Sequence, residues 1–316
     1  MSWVFLTDDR VYKLKKPVKY PFLDFSTLRR RRFFCEEELR LNLRLANETY
    51  HAVVPLRCER TGRLTLTDRG KVIDWLVQMR RLPLADMLDA RLYRGVATRE
   101  DVRRIGDRMA GFYAACAPEV TEGSLYLKHL AGEQAINRTV LEQPVLCLAD
   151  VAGPVLDALD RVLTTLVPKI KRRIADGRIV EGHGDLRPEH VHLGEPIQVI
   201  DCLEFSRPMR MVDPYDEINY LGLECAMLGA PWIRPVLLDM LGARLGDRPD
   251  ADIMALYSGF RSVLRARLCM AHLLDPVVRH PERWKPMALS YIALAERELS
   301  PQCRAVPRSI HSHGDV

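Results

Sequence analysis

His183, Asp185, Arg187, His190 and His192 crowd into one short stretch of chain, and Asp201 follows closely behind. The stretch runs Val180-Glu-Gly-His-Gly-Asp-Leu-Arg-Pro-Glu-His-Val-His-Leu193, then Gln198-Val-Ile-Asp-Cys-Leu-Glu-Phe205. It reads as a short apolar strand, a polar loop, a second apolar strand and a carboxylate at its end. Such a loop can aim several side chains at one point. Phosphoryl transfer needs a carboxylate to orient and deprotonate a hydroxyl, cations on the phosphates, and ligands for magnesium. Asp185 suits the first role, and Arg187 brings a permanent planar positive charge to the transferring phosphate. Asp201 is a hard oxygen ligand.

The phosphates need a further cation, and the elements that must deliver it lie at the start of the chain. Trp3–Leu6, a Thr7-Asp8-Asp9 turn and Val11–Lys15 read as two paired strands. Alternation puts Lys13 and Lys15 on one face. A helix capped at Ser26-Thr27 runs to about Leu45 and carries Glu37 and Glu38, either of which could hold one of those lysines. Further strands are expected at Val53–Leu56, Leu64–Thr67 and Val72–Met79. Beyond Leu84 the pattern turns helical: Leu84–Asp89, Arg99–Cys116, Val155–Ile174, Tyr215–Met227, Ile233–Leu245 and Ala251–Leu274 all read as helices. The expected organisation is a β-rich region over residues 1–80, a helical region over 81–300 and a polar tail over 301–316 with incidental histidines.

Composition narrows the class. Hydrophobic residues make up 47% and charged residues 28% of the 316, with a formal net charge of +5. These are ordinary values for a globular protein. Arg29-Arg-Arg-Arg32 reads as a solvated helix face, and no nucleic-acid partner is expected. The eight cysteines form no Cys-x-x-Cys pair, which points to reduced thiols and a cytoplasmic setting. No apolar window suggests a membrane span.

His183-Gly-Asp-Leu-Arg-Pro-Glu-His190 resembles the catalytic loop of the aminoglycoside phosphotransferase and choline kinase group, within the protein-kinase-like superfamily. Ile200-Asp201 resembles that group's metal-binding strand end. Asp213-Pro-Tyr-Asp216 resembles its helix start, whose second aspartate braces the catalytic loop. Ser2–Leu6, Val11–Pro17, Phe22–Ser26 and Cys35–Asn42 resemble an uncharacterised bacterial branch, some of whose members continue into a P-loop ATPase domain absent from this sequence. The resemblance implies a two-lobed protein-kinase-like α+β fold and ATP-dependent phosphorylation of a hydroxyl on a small molecule. By it, Asp185 is the base, Asp201 a magnesium ligand, Lys13 the phosphate-binding lysine and Glu38 its partner. Lys15 and Glu37 stay open as alternatives. Val77-Gln78-Met79 becomes the strand whose backbone meets adenine.

Two departures stand out. His190 occupies the position of an asparagine metal ligand, and imidazole favours manganese or softer ions over magnesium. No glycine precedes Gly62, so a glycine-rich phosphate loop and the first strand of the lobe are missing from the pattern. Both motivate a second reading, a pseudokinase or small-molecule-binding module. A third reading makes His183, Asp185, His190, His192 and Asp201 the ligands of a metal-dependent hydrolase, with Arg187 arguing against it. For the acceptor, Glu204, Glu217 and Glu224 would suit a cation, and Arg261, Arg265 and Arg267 an anion.

Overall fold

The computed structural model describes residues 1–20, 23–119, 123–275 and 277–300. The expected tail at 301–316, and Pro21 and Phe22 of the connector, lie outside the described residues.

Strands β1 (Ser2–Leu6) and β2 (Arg10–Lys15) pair antiparallel with Val4 opposite Lys13 and Ser2 opposite Lys15. The turn is closed by Thr7, whose Oγ1 accepts the Arg10 N–H at 3.1 Å. A small hairpin of β3 (Lys19–Tyr20) and β4 (Leu23–Asp24) leads to helix α1 (Leu28–Asn42). Thr27 caps that helix by accepting the Arg30 N–H. Strands β5 (Tyr50–Cys58), β6 (Leu64–Thr65) and β7 (Lys71–Arg80) complete a five-stranded sheet in the order β1-β2-β7-β5-β6. Apolar side chains of β7 and α1 meet around Cys35, Ala46, Tyr50, Val77 and Met79.

The helix turns one face inward at helical spacing: Arg31, Cys35, Glu38, Leu41 and Asn42 are buried. The arginine run is therefore not wholly a solvated face. Arg31 points inward and holds Asp74 of β7, with Nε 2.8 Å from Oδ1. Charge on a buried side chain demands such a partner.

Helices α2 (Leu88–Tyr93), α3 (Arg99–Ala115), α4 (Gly123–Leu141) and α5 (Ala149–Ala175) follow. Next come β8 (Val180–Glu181), β9 (Val191–His192), β10 (Gln198–Val199), α6 (Arg207–Arg210) and β11 (Met211–Val212). Helices α7 (Pro214–Met227), α8 (Ile233–Leu245), α9 (Ala251–Ala271) and α10 (Pro281–Leu299) end the described chain. Two long helices, α4 and α10, escaped the sequence reading, as did the single turn of α6. The first buries Gln134 and Asn137, which blurs its apolar stripe, and the second carries Pro286 in its interior.

Contacts group the chain into two compact units. One draws on Met1–Val120 and Gly177–Asp247, the other on Thr121–Asp176 and Arg248–Val316. The first unit holds the whole five-stranded sheet together with α1, α3, α7, α8 and the loop after β8. In the second, α9 packs on α10, α4 and α5. Its longest helix, α5, buries Val155, Leu159, Val162, Leu166 and Ile170 along one stripe.

Candidate functional site

The first unit gathers five charged groups into a chain of alternating sign. Lys13 and Lys15 project from the same face of β2, as alternation requires. Lys13 Nζ forms ion pairs with Glu38 Oε1 at 2.9 Å and Asp201 Oδ1 at 2.5 Å. Lys15 Nζ takes Glu38 Oε2 at 2.7 Å and Glu204 Oε1 at 2.5 Å. Of the two acids left open by sequence, Glu38 is the one that meets the lysines; Glu37 turns to Arg40 at 2.9 Å. The lysines differ in access: the Lys13 side chain is 17% exposed, whereas Lys15 is sealed at 0%. Only Lys13 can touch a ligand without rearrangement.

Burial works against the charge on both lysines, but Glu38, joined by Asp201 at Lys13 and by Glu204 at Lys15, outweighs it and raises their pKa values above the ordinary one. Burial likewise opposes ionisation of Asp201, and Lys13 followed by His190 overcomes it, holding that carboxyl far below its usual range. Asp201 adopts φ 63°, a left-handed backbone that aspartate tolerates better than most residues. Its N–H donates to the Tyr50 hydroxyl at 3.2 Å, and the next N–H, that of Cys202, donates to Asn42 Oδ1 at 2.9 Å.

The polar loop sits between β8 and β9. Glu217, on the first turn of α7, accepts the backbone N–H groups of His183 (2.9 Å) and Gly184 (2.5 Å), and the Tyr113 hydroxyl donates to it at 2.6 Å. Gly182 makes room for that carboxylate, since a Cβ there would lie 2.6 Å from Glu217 Oε2. Gly184 has φ +90°, which permits the turn that follows. His183 is fully buried: Nε2 faces the Ile200 carbonyl at 2.8 Å and Nδ1 accepts the Asp185 N–H at 3.3 Å. Both ring nitrogens are spent, and burial lowers its pKa. It is a strut.

Arg187 grips Asp185 through two contacts, Nη2 to Oδ2 and Nε to Oδ1, each 3.0 Å, and reaches Glu189 at 2.5 Å. Burial would raise the Asp185 pKa, but Arg187 and then His190 bring it below the ordinary value. His190 Nδ1 lies 2.7 Å from the Asp185 carbonyl oxygen. A carbonyl only accepts, so in the neutral ring Nδ1 carries the proton and Nε2 keeps its lone pair. That lone pair is 3.7 Å from Asp201 Oδ2 and 3.5 Å from Arg187 Nη2.

The loop, Asp201, Lys13, Lys15 and Glu38 are thus brought together, and Gln78 and Met79 are not. Gln78 donates to the Tyr12 hydroxyl, and Met79 sits in the apolar cluster. Their backbones are paired with β2 on one side and β5 on the other, which leaves no free edge there for adenine. Any free backbone edge must come after Arg80. Glu204 and Glu217, read as acceptor-facing, are instead engaged by Lys15 and by the loop backbone. Among the described residues no three His, Cys, Asp or Glu side chains converge on one metal position.

Sequence reasoning missed Asn42 and Arg44. Arg44 donates to the carbonyls of Glu181 at 2.6 Å and Gly182 at 2.7 Å, tying the end of α1 to the strand that enters the loop. The signal for Asn42 was position, one turn beyond Glu38 on the same helical face, and Arg44 follows just past the end of the helix.

No family model matches the chain. Uncharacterized proteins of Mycobacterium tuberculosis and Mycobacterium bovis are 27% identical over 270 residues, covering 84% of this chain and 52% of theirs. The chain spans about half the length of these relatives. Among solved structures, spectinomycin phosphotransferase aligns with a TM-score of 0.49 at 10% identity, over 96% of this chain and 90% of that one. The ethanolamine kinase of Plasmodium vivax aligns with a TM-score of 0.53 at 12% identity, over 93% of this chain and 76% of that one. With the antiparallel sheet, the helix carrying Glu38 and the loop after β8, the likeness to the ethanolamine kinase gives the fold: the chain has the two-lobed protein-kinase-like α+β architecture.

Proposed function

We propose that the protein is an ATP-dependent phosphotransferase acting on a hydroxyl of a small molecule. The observation that carries this reading is Lys13, held between Glu38 on the helix and Asp201 beside the loop. An ammonium in that place can move onto a nucleotide phosphate while Glu38 keeps it aligned.

Asp185 would receive the hydrogen bond of the acceptor hydroxyl and take its proton. Both its oxygens are occupied by Arg187, so the guanidinium must shift toward the transferring phosphate as substrates enter. That shift frees the base and supplies charge to the phosphate in one motion.

Asp201 Oδ2 and His190 Nε2 fit a divalent cation. Asp201 Oδ2 can offer a lone pair, as can His190 Nε2 once Arg187 Nη2 moves off it, and their 3.7 Å separation is near the roughly 3.0–3.5 Å spanned by two ligands on one ion. These two side chains would hold magnesium, or manganese given the imidazole, which would supply positive charge against that of the phosphates.

The test is ADP release on a panel of hydroxylated metabolites and antibiotics, with Asp185→Ala beside the wild type. Acceptor-dependent release lost in the variant is expected. Release that survives the substitution would remove Asp185 from its role. Nucleotide binding without release on any acceptor would favour a binding module.

A further inference from the structure

Lys15 has no route to a ligand, and it is as deeply buried as Glu38. Its side chain is 0% exposed, between Glu38 at 0% and Glu204 at 10%, and its ammonium lies 4.9 Å from the Phe25 ring centroid. Burying an ammonium costs several kcal/mol, recovered only where close partners surround it. A second lysine is unnecessary for holding Glu38, since Lys13 already does so.

The contacts close on themselves. Asp201 joins Lys13, Lys13 joins Glu38, Glu38 joins Lys15, and Lys15 joins Glu204, three residues after Asp201 in the chain. The result is a ring through β2, α1 and the segment 201–204. Because Lys15 occupies Glu38 Oε2, it turns Oε1 toward Lys13. Because it holds Glu204, it also pins the far end of a segment whose first residue has a left-handed backbone.

Resting on the phosphotransferase reading, we propose that Lys15 is a positioning residue. With Glu204 it holds Asp201 and Glu38 in place around Lys13 before any nucleotide arrives. It touches no substrate.

The test separates position from charge. Lys15→Met alone strands Glu204 in a buried site, so the informative protein is Lys15→Met/Glu204→Gln, which removes one charge of each sign. Backbone hydrogen exchange is followed in the variant and the wild type, with a cooperative thermal transition as the check of folding. Exchange over 201–206, including the Cys202 N–H, is expected to rise about tenfold or more while 186–193 keeps its protection. Affinity for magnesium-ATP should fall by a similar factor. Unchanged exchange over 201–206 in the folded variant overturns the proposal and leaves Lys15 as charge balance only. If the double variant does not fold, Glu204→Gln serves alone: it opens the ring at one contact and should raise exchange over the same residues, and no rise there is equally fatal. Wild-type protein that fails to bind magnesium-ATP would overturn the phosphotransferase reading instead, and the exchange comparison would still decide the ring.

Discussion

Lys13 Nζ lies 2.5 Å from Asp201 Oδ1, joining residues 188 positions apart in the chain. The contact brings the N-terminal sheet and the segment after the polar loop to one point, and Glu38 completes it from the helix. If that point holds nucleotide phosphates, Lys13→Met should leave the fold intact and weaken magnesium-ATP binding by about a hundredfold, the worth of a charge-assisted contact or two. Calorimetric titration of both proteins measures it. Equal affinities would show that Lys13 serves Glu38 and Asp201 alone.

His190 presents an imidazole lone pair to Asp201, a mixed nitrogen and oxygen pair. Manganese should therefore bind more tightly than magnesium in the presence of ADP, and His190→Asn should narrow that preference by about tenfold or more. Manganese paramagnetic resonance with magnesium competition reads the ratio directly. A preference that survives the substitution would place the ion elsewhere.

Glu217 accepts three donors in a fully buried position. Glu217→Gln replaces an acceptor-only group by one with its own N–H pointed at donors. A loss of about 2–4 kcal/mol is expected in urea unfolding, against about 1 kcal/mol for Tyr113→Phe, which removes a single bond. Similar small losses for both would mean the loop has another support.

Acid should weaken the protein through Glu181. Burial raises its pKa, but Arg40 and Arg210 more than reverse this and carry it from the ordinary 4.5 to about 2. A depressed folded pKa means stability present above the unfolded value and lost as pH falls toward the folded one. Stability should fall between about pH 5 and pH 2, and Glu181→Gln should flatten that part of the curve. Denaturant midpoints across the range test it, and an unchanged slope in the variant would assign the acid sensitivity to other carboxylates.

Much of this site was legible from local chemistry. Strand alternation put Lys13 and Lys15 on one face, and the loop residues were close in sequence, so their convergence needed no tertiary knowledge. Choosing between Glu37 and Glu38 required the rotation of α1 against the sheet, which a charged triplet does not encode. A similar ambiguity hid the role of Glu217: only the packing of α7 brings its carboxylate to the loop backbone. Gln78 and Met79 were misplaced because the strand was expected to end at Met79. It pairs through Arg80, which carries those backbone groups into the interior of the sheet.

Asn42 and Arg44 give the protein a property that the lysines do not. The last turn of α1 and the residues just past it are stitched to Cys202, Glu181 and Gly182 by side-chain bonds that involve no ligand. A helix fastened there keeps Glu38 beside Lys13 and Asp201 through the chain's own contacts, so the site stands assembled before anything binds.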